Sequence, residues 1–289
     1  MSVYEDVCPT CGEINNINRK TCKRCFINHP RPFNVRRASL KDEVAEVMDR
    51  YYRAKTFLHE NGLSKEQESL EFLVIEAGRA IINTQLEFIW NWLVDETEYY
   101  QSYQRQIIEE KRERAIFEND SPRCAIDSLL FSSNYDNIYA ALTTDETGLQ
   151  NYGEVAIILK NLSVANRTSA LEKNSYQFVS EISEAGWKIT DPLPKGFLTT
   201  WPNKHYLAVA KLQTFLFENI NDSELSRLIL SNSKNRMEDI FIELYIDGSI
   251  SPENVDKIVV PEKVIKSLKG EELLKFKELE RKYQIKILS

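Results

Sequence analysis

Histidine is scarce in this chain: His29, His59 and His205 are the only three in 289 residues. None belongs to an HExxH helix, and a histidine-dependent hydrolase is not favoured. There is no G-x-x-x-x-G-K-[ST] loop and no GxGxxG turn, so the usual phosphate cradles are missing. No clear cluster of acids stands at the ends of the expected strands, where a Mg²⁺-dependent nuclease would need one. No apolar run reaches the roughly 20 residues of a membrane helix. No secretory leader is visible ahead of the first motif, and a reducing, cytoplasmic setting is expected.

Cysteine is also sparse, with five in all, but four of them crowd the start of the chain. Cys8, Cys11, Cys22 and Cys25 form C-x2-C-x10-C-x2-C within CPTCGEINNINRKTCKRC. Each CxxC turn aims two thiolates at one point, and two turns close a tetrahedron around zinc. With four ligands filled, such a site is structural and keeps no open position for catalysis. Two disulfides or a redox-active CxxC are the alternatives; the missing leader and the single remaining Cys124 disfavour them. His29 is a spare candidate ligand. Gly12 follows the second cysteine, where a tight turn asks for positive φ.

The spacing resembles both the bacterial zinc ribbon and the Ran-binding-protein zinc finger, which places an Asn four residues after the second cysteine, as Asn15 stands here. The latter resemblance implies reading of single-stranded RNA by arginines and a stacked tryptophan. Arg19, Lys20, Lys23 and Arg24 supply charge, whereas Asp6 occupies the tryptophan's place. Residues 1–37 carry a net charge of +4 and the whole chain −7, which leaves −11 for residues 38–289. A basic tip on an acidic body suits an RNA or DNA contact, or docking on an acidic partner or on the body itself.

Three domains are expected: a zinc ribbon over 1–37, a helical segment over 38–122, and an α+β domain over 123–289. HPRPF (29–33) reads as a linker. Leu40, Val44, Val47 and Tyr51 predict a helix capped near Ser39, broken by NGLS (61–64). A second helical stretch begins at Ser64 and runs to about Phe117 without a proline, with Leu70, Leu73, Val74, Ala77, Ala80, Ile81 and Thr84 on one face. After Pro122, strands are expected in AIDSLLF (125–131), EVAIILK (154–160), DIFIELYI (239–246), DKIVV (256–260) and QIKIL (284–288). Helices are expected in YDNIYAALT, YLAVAKLQTFLFENI, SELSRLILSN and PEKVIKSLKGEELLKFKELERKY. Mixed strands and helices without βαβ alternation define an α+β class.

One acid stands out. In DIFIELYIDG, period 2 sets Phe241, Glu243 and Tyr245 on one face and Ile242, Leu244 and Ile246 on the other. A carboxylate between two aromatics must be paired or line a cleft, or else face solvent on an edge strand. FIELYIDGSISPENVDKIVVPE, with LERKYQIKIL after it and NYGEVAIILKNLSVANRTSALEKNS before it, resembles the motif blocks of bacterial ADP-ribosyltransferase-like domains of the toxin and phage-defence type. The resemblance spans roughly residues 123–289. It implies a strand-built NAD cleft in which Glu243 stabilises the cationic ribose as nicotinamide leaves. It also implies NAD contacts by Ser132, Ser133, Tyr152, Arg167 and Ser169. The sequence departs from the pattern at Ser132 and Ser133, where a His or Arg is usual, and at Phe241, where a second acid is common. The latter departure points toward nucleic acid as acceptor. A self-poisoning transferase implies an antitoxin or inhibitor protein as partner. The competing expectation is a non-catalytic zinc-ribbon adaptor that binds nucleic acid or protein.

Overall fold

The computed structural model describes residues 5–8, 10–17, 19–29, 31–96, 99–110, 128–131, 136–188, 191–236 and 238–288. A two-stranded hairpin, β1 (Glu5–Val7) and β2 (Ile14–Asn16), opens the chain. The body is built on an eight-stranded sheet in the order β10-β9-β5-β3-β4-β8-β6-β7. Its strands are β3 (Arg79–Thr84), β4 (Asn137–Thr143), β5 (Val155–Leu159), β6 (Thr168–Leu171), β7 (Leu198–Thr200), β8 (Glu243–Asp247), β9 (Val255–Pro261) and β10 (Gln284–Leu288). All neighbours run antiparallel except the parallel pair β10 and β9. Helices α1 (Phe33–Ala38), α2 (Lys41–Glu60) and α3 (Ser64–Glu76) precede the sheet in sequence. The mixture of strands and helices agrees with the α+β reading.

The two faces of the sheet are treated differently. Alternate residues Ile138, Ala140 and Leu142 of β4 and Leu244 and Ile246 of β8 enter the main core. There they meet Leu58 of α2, Leu70 and Val74 of α3, Leu207 and Leu212 of the helix Lys204–Leu212, and Phe276 and Leu279 of the helix Gly270–Lys282. Each Val, Leu, Ile or Phe among them contributes about 1.5–3 kcal/mol on leaving water. The opposite face carries two separate apolar clusters. One gathers Phe131, Leu171, Phe178, Leu198 and Tyr245; the other gathers Ile81, Ala141, Ala156, Ile158 and Phe241.

Several expectations require correction. The stretch from Ser64 does not stay helical: α3 stops at Glu76, and Arg79–Thr84 is a strand between β5 and β4. Gly78 permits the break, since a Cβ on this backbone would lie 2.3 Å from the Val74 carbonyl oxygen. The middle segment therefore supplies an inner strand of the same sheet rather than a separate helical layer. YDNIYAALT, expected as helix, holds β4, and residues 128–131 of AIDSLLF are helical rather than extended. Residues 125–127 and Cys124 lie outside the described residues. The linker also ends sooner than expected. Phe33–Ala38 is a helix, and Asn34 through Ala38 are buried against the body. Ser39 closes α1 and donates its hydroxyl to the Val35 carbonyl, rather than capping α2.

Candidate functional site

The four-cysteine module is built from two turns of the same design. Cys8 N–H donates to the Glu13 carbonyl and Gly12 N–H to the Cys8 carbonyl. Fourteen residues on, Cys22 N–H donates to the Ile27 carbonyl and Phe26 N–H to the Cys22 carbonyl. All four sulfurs lie within 4.8 Å of one another, with Cys8–Cys25 at 3.7 Å and Cys11–Cys22 at 3.6 Å. Those separations are too long for disulfides, which need about 2.05 Å. They match the edge, about 3.8 Å, of a tetrahedron with metal–sulfur bonds of about 2.3 Å. The donor set therefore fits a metal ion such as zinc, and His29 is not part of it.

Asn15, 1% exposed, clamps the two turns together. Its side-chain amide donates to the Glu13 carbonyl (2.8 Å) and to Cys22 Sγ (3.5 Å), and its Oδ1 accepts the Lys23 N–H (2.8 Å). The N–H groups of Cys25 and Arg24, together with Asn15, hold the Cys22 thiol down to about 6 despite its burial. Donors aimed at sulfur favour the thiolate that a metal requires.

A second cluster lies on the sheet face that carries the two smaller cores. Glu243 begins β8, opposite Ala141 on one side and Leu171 on the other. It is 5% exposed. Its Oε2 accepts the Ser175 N–H at 2.8 Å and the Tyr245 hydroxyl at 2.7 Å. The alternation read from the sequence places Phe241 in one apolar cluster and Tyr245 in the other, so the carboxylate sits between them. Ser175 opens the helix Ser175–Glu184, whose N-terminus adds partial positive charge.

Asn174 caps that helix by accepting the Tyr176 and Gln177 N–H groups, and its amide donates to the Tyr152 hydroxyl at 3.1 Å. One capping residue thus ties Tyr152 and Glu243 to the same turn. Burial raises the Tyr152 hydroxyl above the ordinary tyrosine range; Arg236 opposes, and the Glu243 and Asp239 carboxylates add to the rise. The Arg236 guanidinium lies over the Tyr152 ring at 3.9 Å, and Phe241 meets that ring edge-on at 5.8 Å. Asp239, 2% exposed, organises the neighbouring loop by accepting from Asn151 Nδ2 and Ser233 N–H.

The other expected site residues are scattered. Arg167 stands at the far end of β8 from Glu243. Its Nη1 donates to the Asp247 and Ser249 carbonyls at 2.6 and 3.0 Å, and its Nε to the Ser163 carbonyl. Ser169 faces Tyr245 across the β6–β8 ladder, fully buried, and its hydroxyl has no hydrogen-bond partner among the described residues. Helix α1 lies over this region, with Asn34 Nδ2 donating to the Tyr245 carbonyl (2.7 Å) and the Arg167 carbonyl (3.0 Å). Ser132 and Ser133 lie outside the described residues. His205 packs against Tyr206, and His59 bonds the Ser64 hydroxyl; neither joins Glu243.

Sequence reasoning missed Asn174, Arg236 and Asp239. The N-cap signal of Asn174 ahead of SYQF was there to be read. The other two come together only through the loop closed by the Ser231–Ile240 bridge. Lys211 was missed as well; it donates to the Phe241 carbonyl at 2.8 Å, and burial lowers its ammonium to about 7, with Glu172 opposing. Among the described residues, no helix is long and apolar enough to cross a membrane. No protein-family model matches the chain, and no curated protein matches it in sequence.

Proposed function

We propose that the chain is an NAD-dependent mono-ADP-ribosyltransferase of the toxin or anti-phage type. The four-cysteine module holds structural zinc and serves targeting. One observation carries this reading: Glu243 is a buried carboxylate at a strand start, oriented by two donors to a single oxygen, beside Tyr152. A fixed carboxylate next to a developing cation is electrostatic catalysis. In the proposed step the bond between the ribose anomeric carbon and the nicotinamide nitrogen breaks, and nicotinamide leaves with the electron pair. A lone pair of the acceptor then bonds that carbon, and the acceptor's proton passes to water. Glu243 stabilises the positive ribose between these events, and Tyr152 offers a ring to the nicotinamide. The acceptor is a macromolecule, with nucleic acid favoured by Phe241 in place of a second acid. An antitoxin or inhibitor protein would restrain such an enzyme in its host.

The test is calorimetry of NAD with wild type and with Glu243→Gln, with nicotinamide release followed on the same samples. The expected result is binding by both and a loss of turnover of about 10²–10³ in the variant. Absence of NAD binding by the wild type would sink the proposal. A second reading, a non-catalytic adaptor, draws on Arg167. Its guanidinium is committed to backbone carbonyls away from Glu243, so it does not replace the cation missing at Ser132 and Ser133.

A further inference from the structure

The two cysteine turns are equivalent in hydrogen bonding, so their equivalent residues face the same backbone demand. Gly12 meets it with φ +72°, and its counterpart Phe26 adopts φ +57°. A left-handed bulky residue is strained, and such strain is tolerated when the surroundings reward it. Burial gives no reward here, because Phe26 is 77% exposed. Val7 and Ile14, register partners in the hairpin, are exposed as well, and so is Ile27. An apolar surface of this kind on a small module marks an interaction site.

The occupant is constrained by charge. The tip is less basic than its composition: Arg36 and Arg37 are buried against the body, and Lys23 pairs with Glu13 at 2.9 Å. Arg19, Lys20 and Arg24 are exposed, with Arg24 at 4.0 Å from the Glu13 carboxylate that Lys23 already pairs. Three aliphatics and one phenyl ring offer little for bases to stack on, which favours a protein surface over a nucleic acid. The complement is on the chain itself. Helix α3 exposes Glu68, Phe72, Ile75 and Glu76 at positions i, i+4, i+7 and i+8, an apolar stripe with two acids to the one exposed base, Lys65, on the same face. The turn at 213–219 adds exposed Phe215, Phe217 and Glu218, and is tied to the first turn of α3 by Asn219 N–H donating to Glu66 at 3.0 Å.

We propose that the cysteine module docks on the α3 stripe of a second copy of this chain, with Phe26 as the anchor, and that two such contacts close a twofold dimer. Reciprocity matches each basic, apolar tip with an acidic, apolar stripe, so the module is free for its proposed targeting role only in the monomer.

Sedimentation velocity of the full chain across the micromolar range tests this. Wild type is expected to dimerise with rising concentration. Phe26→Gly relieves the left-handed backbone, so its module stays folded, yet the dimer should weaken by about tenfold or more. The combined variant Arg19→Glu, Lys20→Glu, Arg24→Glu should be monomeric, and so should Glu68→Lys, Glu76→Lys. An equal mixture of these two proteins should form a heterodimer, because the reversed tip then meets the reversed stripe at one contact and the unaltered tip meets the unaltered stripe at the other. The proposal is overturned by a wild type that stays monomeric, by a dimer indifferent to Phe26→Gly, or by a mixture that stays monomeric. Monomer throughout would direct attention to a different protein or to a single-stranded nucleic acid as the module's ligand.

Discussion

Lys211 illustrates how one side chain couples position to pH. Its ammonium donates to the Phe241 carbonyl, two residues ahead of Glu243, and although the residue as a whole is only partly buried, desolvation of the ammonium lowers it to about 7. An unfolded chain keeps this lysine protonated up to about 10.4. Between those values the unfolded state binds more protons, so stability rises with pH across that window. Below pH 7 both states are charged and the burial penalty is fully present. Urea unfolding at several pH values should give a wild-type profile that climbs from pH 7 toward pH 10 more steeply than that of Lys211→Met; matching slopes would refute the burial. Nothing in YLAVAKLQTF announced this, because a lysine in an apolar helix reads equally well as a solvent-facing residue. Glu243 was legible for the opposite reason: strict alternation fixed its face, and one acid among aromatics needed an explanation. Its actual donors, Ser175 N–H and Tyr245 Oη, were not legible, since the first is backbone from a distant helix.

Strand β3 is the clearest case of an element hidden by its own spacing. Ala77, Ala80, Ile81 and Thr84 fall at helical intervals, yet Arg79–Thr84 is extended and buried on both faces of the sheet. A short apolar run has no period of its own to separate strand from helix. Gly78 was the available signal, and β-branched Ile81, Ile82 and Thr84 agree with it. The same ambiguity turned NIYAALT into an expected helix, whereas QIKIL and the apolar core of EVAIILK read correctly as strands because branched residues dominate them. Tight packing between elements offers a direct check. Gly153 precedes β5 with φ +154°, and a Cβ there would lie 2.3–2.5 Å from the backbone of Thr84. Gly153→Ala is expected to destabilise the fold by about 2–3 kcal/mol, read as a lower urea midpoint with unchanged slope. An unchanged midpoint would mean that β3 and β5 are not packed this closely.

For the whole molecule, the division between module and body falls earlier than the composition shift implied. Helix α1 belongs to the body, anchored by Asn34 on the Tyr245 and Arg167 carbonyls, and takes two of the tip's arginines into the interior with it. The module itself depends on its cysteines and on Asn15. If the four cysteines hold a metal, chelating it should raise hydrogen exchange over residues 8–28 while the amides of β3, β4 and β8 keep their protection. Loss of protection throughout would mean that the module is integral to the core. The order of strands has a further meaning for how the chain acquires its shape in time. β3 pairs with β4 and β5, and β4 pairs with β8, more than a hundred residues further along. During synthesis α2 and α3 are finished long before the helix Lys204–Leu212, which packs on both of them, and β8 leave the ribosome. Such distant pairings make the sheet slow to close. The nascent chain thus carries exposed core for most of its synthesis, and the strand bearing Glu243 both closes the centre of the sheet and completes the candidate site.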